Sequence, residues 1–136
     1  MPSDQTPDPK TLSFLVIDDD EFARTVATLH VKGIGATDIA TAADGEEALA
    51  LLDAADRHPD VLLVDLSMPN MGGAEFLRHA ASRGFEGRVI LVSGLEEDTL
   101  NIAESAAKYQ HVDVVAQIPK PLTLEKLREA LGIDPD

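Results

Sequence analysis

Reactive side chains stand at the ends of four apolar runs. Asp18-Asp19-Asp20 follows Phe14-Leu15-Val16-Ile17, Asp65 follows Val61 to Val64, Ser93 follows Val89 to Val92, and Lys120 follows the run from Val112 to Ile118. Two carboxylates about 4 Å apart repel by on the order of 4 kcal/mol at an effective dielectric near 20, so ionised aspartates gathered at one place require a cation. The chain has no cysteine, and its four histidines are scattered. An oxygen-only donor set selects a hard divalent ion, Mg²⁺ or Mn²⁺, which keeps several waters as open positions. A carboxylate beside such an ion is a nucleophile towards phosphorus. The ion, an ammonium and a hydroxyl can then share the charge on the transferring oxygens, which is the chemistry of an acyl phosphate. Each residue alone has a simpler role: Asp runs cap helices, Ser ends strands, and Lys-Pro-Leu-Thr makes a turn. Their recurrence at four strand ends is what favours a site.

Convergence of these residues demands parallel strands. The four runs, with a weaker alternating one at Ile39-Ala40-Thr41-Ala42, predict five strands, and their continuous apolar character suits burial on both faces. Helical periodicity lies between and after them, at Phe22, Val26 and Leu29; at Ala48, Leu52 and Ala55; at Phe76, Leu77 and Ala80; at Ile102, Ala103 and Ala106; and at Leu124, Leu127 and Leu131. Asp44 with Glu47 forms a capping box, Thr123 caps the last helix, and Gly33, Gly84 and Gly132 stand where helices stop. Strands joined by helices need right-handed crossovers, so the predicted fold is doubly wound α/β, with any ligand outside the carboxyl ends of the strands.

Composition bounds the rest. At 136 residues and 44 % hydrophobic, the chain suits a single domain with one core. We expect a flexible tail over residues 1–11, the domain over 12–132 and a short end at 133–136. Eleven basic against 25 acidic side chains give a formal charge of -14, which opposes direct nucleic-acid binding. The start lacks the basic and apolar regions of a leader, and no apolar run approaches the roughly 18 residues of a membrane span. A cytoplasmic location with no membrane contact is the expectation.

FLVIDDDE, VLLVDLSMPNMGG, VILVSG and IPKPLT, in that order, make the segment from Ser13 to Leu131 similar to the receiver domain of bacterial response regulators, in the manner of a single-domain chemotaxis regulator. The resemblance implies strand order 2-1-3-4-5, with the fifth strand at an edge where Pro119 is tolerated. It implies Asp65 as the phospho-acceptor, Asp18 and Asp19 as the metal-binding acid pair, and the Ser67 main-chain carbonyl as a further metal contact beside Asp65. It also implies Ser93 as the switch hydroxyl, Lys120 as the phosphate-binding lysine and a cis Lys120-Pro121 peptide. Asp20 then reads as a helix cap. Implied partners are a sensor histidine kinase or histidine phosphotransfer protein, and an output partner or an output domain outside these residues. No enzyme activity is implied beyond self-phosphorylation and self-dephosphorylation at Asp65. The sequence departs from the family at Gln117, where Tyr or Phe is frequent, and at Gly94, where Ala is frequent. The segment from Glu96 to Tyr109 exceeds the usual helix there, and the later segments are most similar to receivers fused to cyclic-di-GMP phosphodiesterase domains.

Rival readings are a haloacid-dehalogenase-type Mg²⁺-dependent phosphatase, a flavodoxin-like nucleotide or flavin binder, and a receiver-like module that binds partners without phosphorylation. The first would use Asp18-x-Asp20 but lacks the Thr or Val expected soon after, having Glu21-Phe22, and leaves Asp65 without a role. The second needs a phosphate-binding loop after the first strand, where three aspartates repel anions. The third is disfavoured by the complete set Asp18, Asp19, Asp65, Ser93 and Lys120.

Overall fold

The computed structural model describes residues 8–66, 68, 71–93 and 112–133. Five parallel strands form one sheet: β1 (Ser13–Ile17), β2 (Asp38–Ala42), β3 (Val61–Asp65), β4 (Arg88–Ser93) and β5 (Asp113–Pro119), in the order β2-β1-β3-β4-β5. Among the described residues there are four α-helices: α1 (Glu21–Gly33), α2 (Gly45–Ala54), α3 (Gly73–Ser82) and α4 (Leu124–Leu131). The helical segment expected around Ile102, Ala103 and Ala106 lies outside the described residues. The flavodoxin-like α/β class and its strand order are as the sequence implied, with β2 and β5 at the edges. No helix among the described residues is long and apolar enough to cross a membrane.

Alternation along the strands splits the core into two layers. Leu15, Ile17, Leu62, Val64, Val89 and Leu91 face α2 and α3, where Ala48, Leu49, Leu52, Phe76, Leu77 and Ala80 are buried. Phe14, Val16, Val61, Leu63, Ile90 and Val92 face α1 and α4, where Ala27, Val31, Leu127 and Leu131 are buried. This two-sided burial explains why the central strands read as unbroken apolar runs.

Local signals account for the helix ends. Glu47 N–H donates to Asp44 Oδ1 at 2.7 Å, and Glu47 Oε1 accepts from Ala43 N–H at 2.6 Å, so the capping box closes one residue further back than its usual form. Thr123 Oγ1 accepts from Lys126 N–H at 3.2 Å. Gly84 and Gly132 take positive φ where helices stop, as expected, whereas α1 ends differently: Gly33 is still helical, and Gly35, at φ 109°, makes the turn. The apolar face predicted for α1 also needs correction. Phe22 is 76 % and Leu29 60 % exposed, while Ala27, Val31 and the following Ile34 are buried. The largest apolar side chains drew the periodicity to the wrong side. Against a sheet flanked by a second helix, the smaller residues allow the close approach.

Residues 9–11, the last of the expected tail, form a 3-10 turn capped by Asp8.

Candidate functional site

The strand order reverses beside β1, which connects outward to β2 while its other neighbour is β3. The crevice at the carboxyl ends of β1 and β3 is therefore where this topology places a ligand. Register brings the acids to it. Ile17 pairs with Val64, so Asp18 and Asp65 leave the sheet side by side. Asp65 pairs with Val92, and the next residue, Ser93, pairs with Pro119, so the hydroxyl and Lys120 follow on successive strand ends.

Asp18, Asp19 and Asp65 each offer a carboxylate oxygen within 4.8 Å of the others. Asp18 and Asp65 are buried at 6 % and 3 % exposure, and Asp19 is exposed. Lys120 Nζ lies 3.5 Å from Asp18 Oδ2 and 3.7 Å from Asp65 Oδ1. Among the described residues one ammonium thus faces two buried carboxylates, leaving an excess of negative charge. The donors are all oxygens, the set is acidic and one side is open to solvent, so these residues fit a hard divalent cation that keeps part of its water shell. Ser93 is 2 % exposed at the end of β4.

The main chain around the site is tightly tied. Lys120 N–H donates to Ser93 O at 2.7 Å and Leu66 N–H to Val92 O at 3.0 Å, which lock the ends of β3, β4 and β5 together. The Lys120-Pro121 peptide is cis, as the resemblance implied. A Cβ on Gly73 would come within 2.8 Å of Leu66 Cδ2 and 3.1 Å of Leu66 Cα, so glycine lets the first turn of α3 pack closely against the residue that follows Asp65. Ser67, Gly94 and the segment from Glu96 to Tyr109 lie outside the described residues. Gln117 is half-buried on β5, opposite Leu91.

Asp20 differs from its two neighbours. Its Oδ2 accepts from Ala23 N–H at 3.0 Å and caps α1, while its own N–H donates to Asp18 Oδ1 at 2.9 Å. Asp20→Ala should accordingly cost about 1 kcal/mol of stability, the usual value of a lost cap, and leave Mg²⁺ affinity unchanged. Thermal melts and a Mg²⁺ titration of the variant measure both. A large loss of Mg²⁺ affinity would make Asp20 a ligand.

Sequence reasoning overlooked Arg24. Its Nη1 donates to the main-chain carbonyl of Asp18 at 2.8 Å, directly behind the acid cluster. The available signal was a cation near the amino end of a helix, where the macrodipole opposes it.

A family model for the response regulator receiver domain matches residues 14–132. Among curated relatives, the cyclic di-GMP phosphodiesterase RocR of Pseudomonas aeruginosa is 34 % identical over 120 residues, covering 88 % of this chain and 30 % of that protein. The regulator of RpoS of Escherichia coli is 34 % identical over 116 residues, covering 85 % of this chain and 32 % of that protein. The chain thus spans about a third of the length of these relatives. The chemotaxis response regulator CheY4 of Vibrio cholerae has a structure similar at TM-score 0.71 with 27 % identity, covering 90 % of this chain and 98 % of that one. A receiver domain from Clostridium thermocellum shares the fold at TM-score 0.74 with 21 % identity, covering 89 % and 91 % of the two chains.

Proposed function

The chain belongs to the response regulator receiver domain family, and on that premise we propose that Asp65 is the residue through which this phosphoryl-accepting receiver takes its phosphoryl group, with Asp18 and Asp19 holding Mg²⁺ beside it. The observation that carries the assignment is the gathering of Asp18, Asp19 and Asp65 carboxylates within 4.8 Å of one another, with the Lys120 ammonium on two of them. When bound, the divalent cation neutralises the acids and shares the charge of the transferring oxygens.

The chain's own residues do the rest. A carboxylate oxygen of Asp65 attacks the phosphorus of a phosphohistidine. The P–N bond breaks as the P–O bond forms, and the imidazole leaves with the electron pair. Lys120, within 3.7 Å of Asp65 Oδ1, is placed to follow the charge onto the phosphoryl oxygens. Ser93 supplies a hydroxyl from the adjacent strand end, and the Ser67 carbonyl is proposed as a further metal contact. Phosphorylation adds up to about two negative charges at this crevice, enough to draw the ends of β4 and β5 inward and alter partner binding. The phosphodonor is proposed to be a sensor histidine kinase or histidine phosphotransfer protein in the cytoplasm. The output is carried by a partner or a further domain.

A phosphatase using Asp18-x-Asp20 is disfavoured by the same geometry. Asp20 is spent on the helix cap, and Asp65 occupies the acid cluster instead.

The test is intact mass after exposure to acetyl phosphate or phosphoramidate. A gain of one phosphate that requires Mg²⁺ and is lost to hydroxylamine supports the assignment. A gain without Mg²⁺, or one stable to hydroxylamine, contradicts it.

A further inference from the structure

Arg24 sits just inside α1, after four consecutive acids, Asp18, Asp19, Asp20 and Glu21. Among the described residues it nevertheless forms no ion pair. Its Nη1 donates to the Asp18 carbonyl at 2.8 Å, and its main-chain N–H donates to Asp20 O at 2.9 Å. A guanidinium that merely neutralised its surroundings would be drawn to a carboxylate, and at this end of the helix the macrodipole opposes a cation. The position is explained instead by what it holds.

Asp18 is fastened at three points. Its N–H donates to Ala42 O at 3.2 Å, its carbonyl accepts from Arg24, and its Oδ1 accepts from Asp20 N–H at 2.9 Å. Oδ2 is left towards Lys120 and the crevice. The carbonyl held by Arg24 lies in the same peptide plane as the Asp19 nitrogen, so fixing that plane fixes where the Asp19 side chain leaves the backbone. Asp19 is exposed, so packing gives its carboxylate little restraint. The bond from Arg24 restrains the peptide on its amino side, as the Asp20 N–H bond to Asp18 Oδ1 restrains the one on its carboxyl side.

We infer that Arg24 is a positioning residue for the metal-binding acid pair, orienting Asp18 and Asp19 through the peptide between them; the inference rests on the assignment of Asp18, Asp19 and Asp65 as the Mg²⁺ site. The two effects of such a guanidinium have opposite signs. Its charge alone repels an incoming cation, so removing it would tighten Mg²⁺ binding. Its hydrogen bond pre-orients the ligands, and outer-shell partners of this kind are typically worth 10- to 100-fold in metal affinity.

The deciding experiment is a calorimetric Mg²⁺ titration of the full chain at constant ionic strength, comparing the unaltered protein with Arg24→Met and Arg24→Lys. Melts in the absence of Mg²⁺ run alongside. The Met variant should bind Mg²⁺ about tenfold more weakly. The Lys variant, which keeps the charge but not the planar fork, should fall between the two. Affinity equal to or tighter than that of the unaltered protein in Arg24→Met overturns the inference and leaves the Mg²⁺ site standing, even if the melt has shifted. Absence of saturable Mg²⁺ binding by the unaltered protein overturns both. Should Arg24→Met not fold, Arg24→Lys decides: weaker binding supports the inference and unchanged binding overturns it.

Discussion

Asp65→Asn is expected to reduce phosphorylation by acetyl phosphate or phosphoramidate to background while leaving the domain folded. The amide nearly matches the carboxylate in shape, but its nitrogen lone pair is delocalised into the carbonyl and its oxygen carries no full negative charge, so neither replaces the carboxylate as nucleophile. Stability should not suffer for electrostatic reasons. Two buried carboxylates within the 4.8 Å found for Asp18 and Asp65 repel by at least about 3.5 kcal/mol at an effective dielectric near 20, partly offset by Lys120 beside both, and the substitution removes that repulsion. Two measurements make the case together: intact mass for the phosphoryl group and a thermal melt without Mg²⁺ for the fold. Full labelling of a folded Asp65→Asn protein would move the acceptor elsewhere. Ser93, buried at the adjacent strand end, would be the first residue to test, and a linkage stable to hydroxylamine would identify it as a phosphoserine.

The second large effect is stabilisation by Mg²⁺. Among the described residues the cluster holds three carboxylates with the Lys120 ammonium beside two of them, and a cation bound there would bind only the arrangement that folding creates. A ligand present at one hundred times its dissociation constant adds about 2.7 kcal/mol. For a domain of this length that raises the melting temperature by roughly 10 °C. Asp18→Asn should lose most of the rise, because it removes one of the two buried charges proposed to hold the ion while the Asn oxygen can still accept from Asp20 N–H. Sodium chloride at matched ionic strength separates site binding from screening of the general acidity, which is large at a net charge of -14. Equal responses of the two proteins to Mg²⁺, or an equal response to the sodium salt, would show that the ion acts on overall charge and not at the crevice.

Both predictions turn on residues that were visible before any coordinates. Strand-length apolar runs cannot be left in water, and each was followed by a reactive side chain. Buried parallel strands align their carboxyl ends, so the acids, hydroxyl and amine had to share one rim. Capping likewise was legible at Asp20, Asp44 and Thr123, because a side-chain oxygen satisfying an amide N–H three residues on is a purely local interaction.

What failed or stayed hidden was tertiary. Phe22 and Leu29 were read as core because they are large and apolar, yet which side of α1 is buried depends on how closely the helix lies on the sheet beside α4. Ala27 and Val31 meet that requirement. Gly35 and not Gly33 makes the turn after α1, since the helix continues for as long as its contacts allow. Arg24 carried only a faint signal, and its bond to the Asp18 carbonyl depends on where the guanidinium of a six-residue-distant side chain comes to rest. The sequence by itself thus determined the element order, the strand ends and the kinds of atoms gathered there, all consequences of hydrophobic period and local hydrogen bonding. Only the tertiary structure decided which helix face is covered, how closely Asp18, Asp19 and Asp65 gather, and what holds them in place, because those depend on distances between residues far apart in sequence or on opposite sides of a turn.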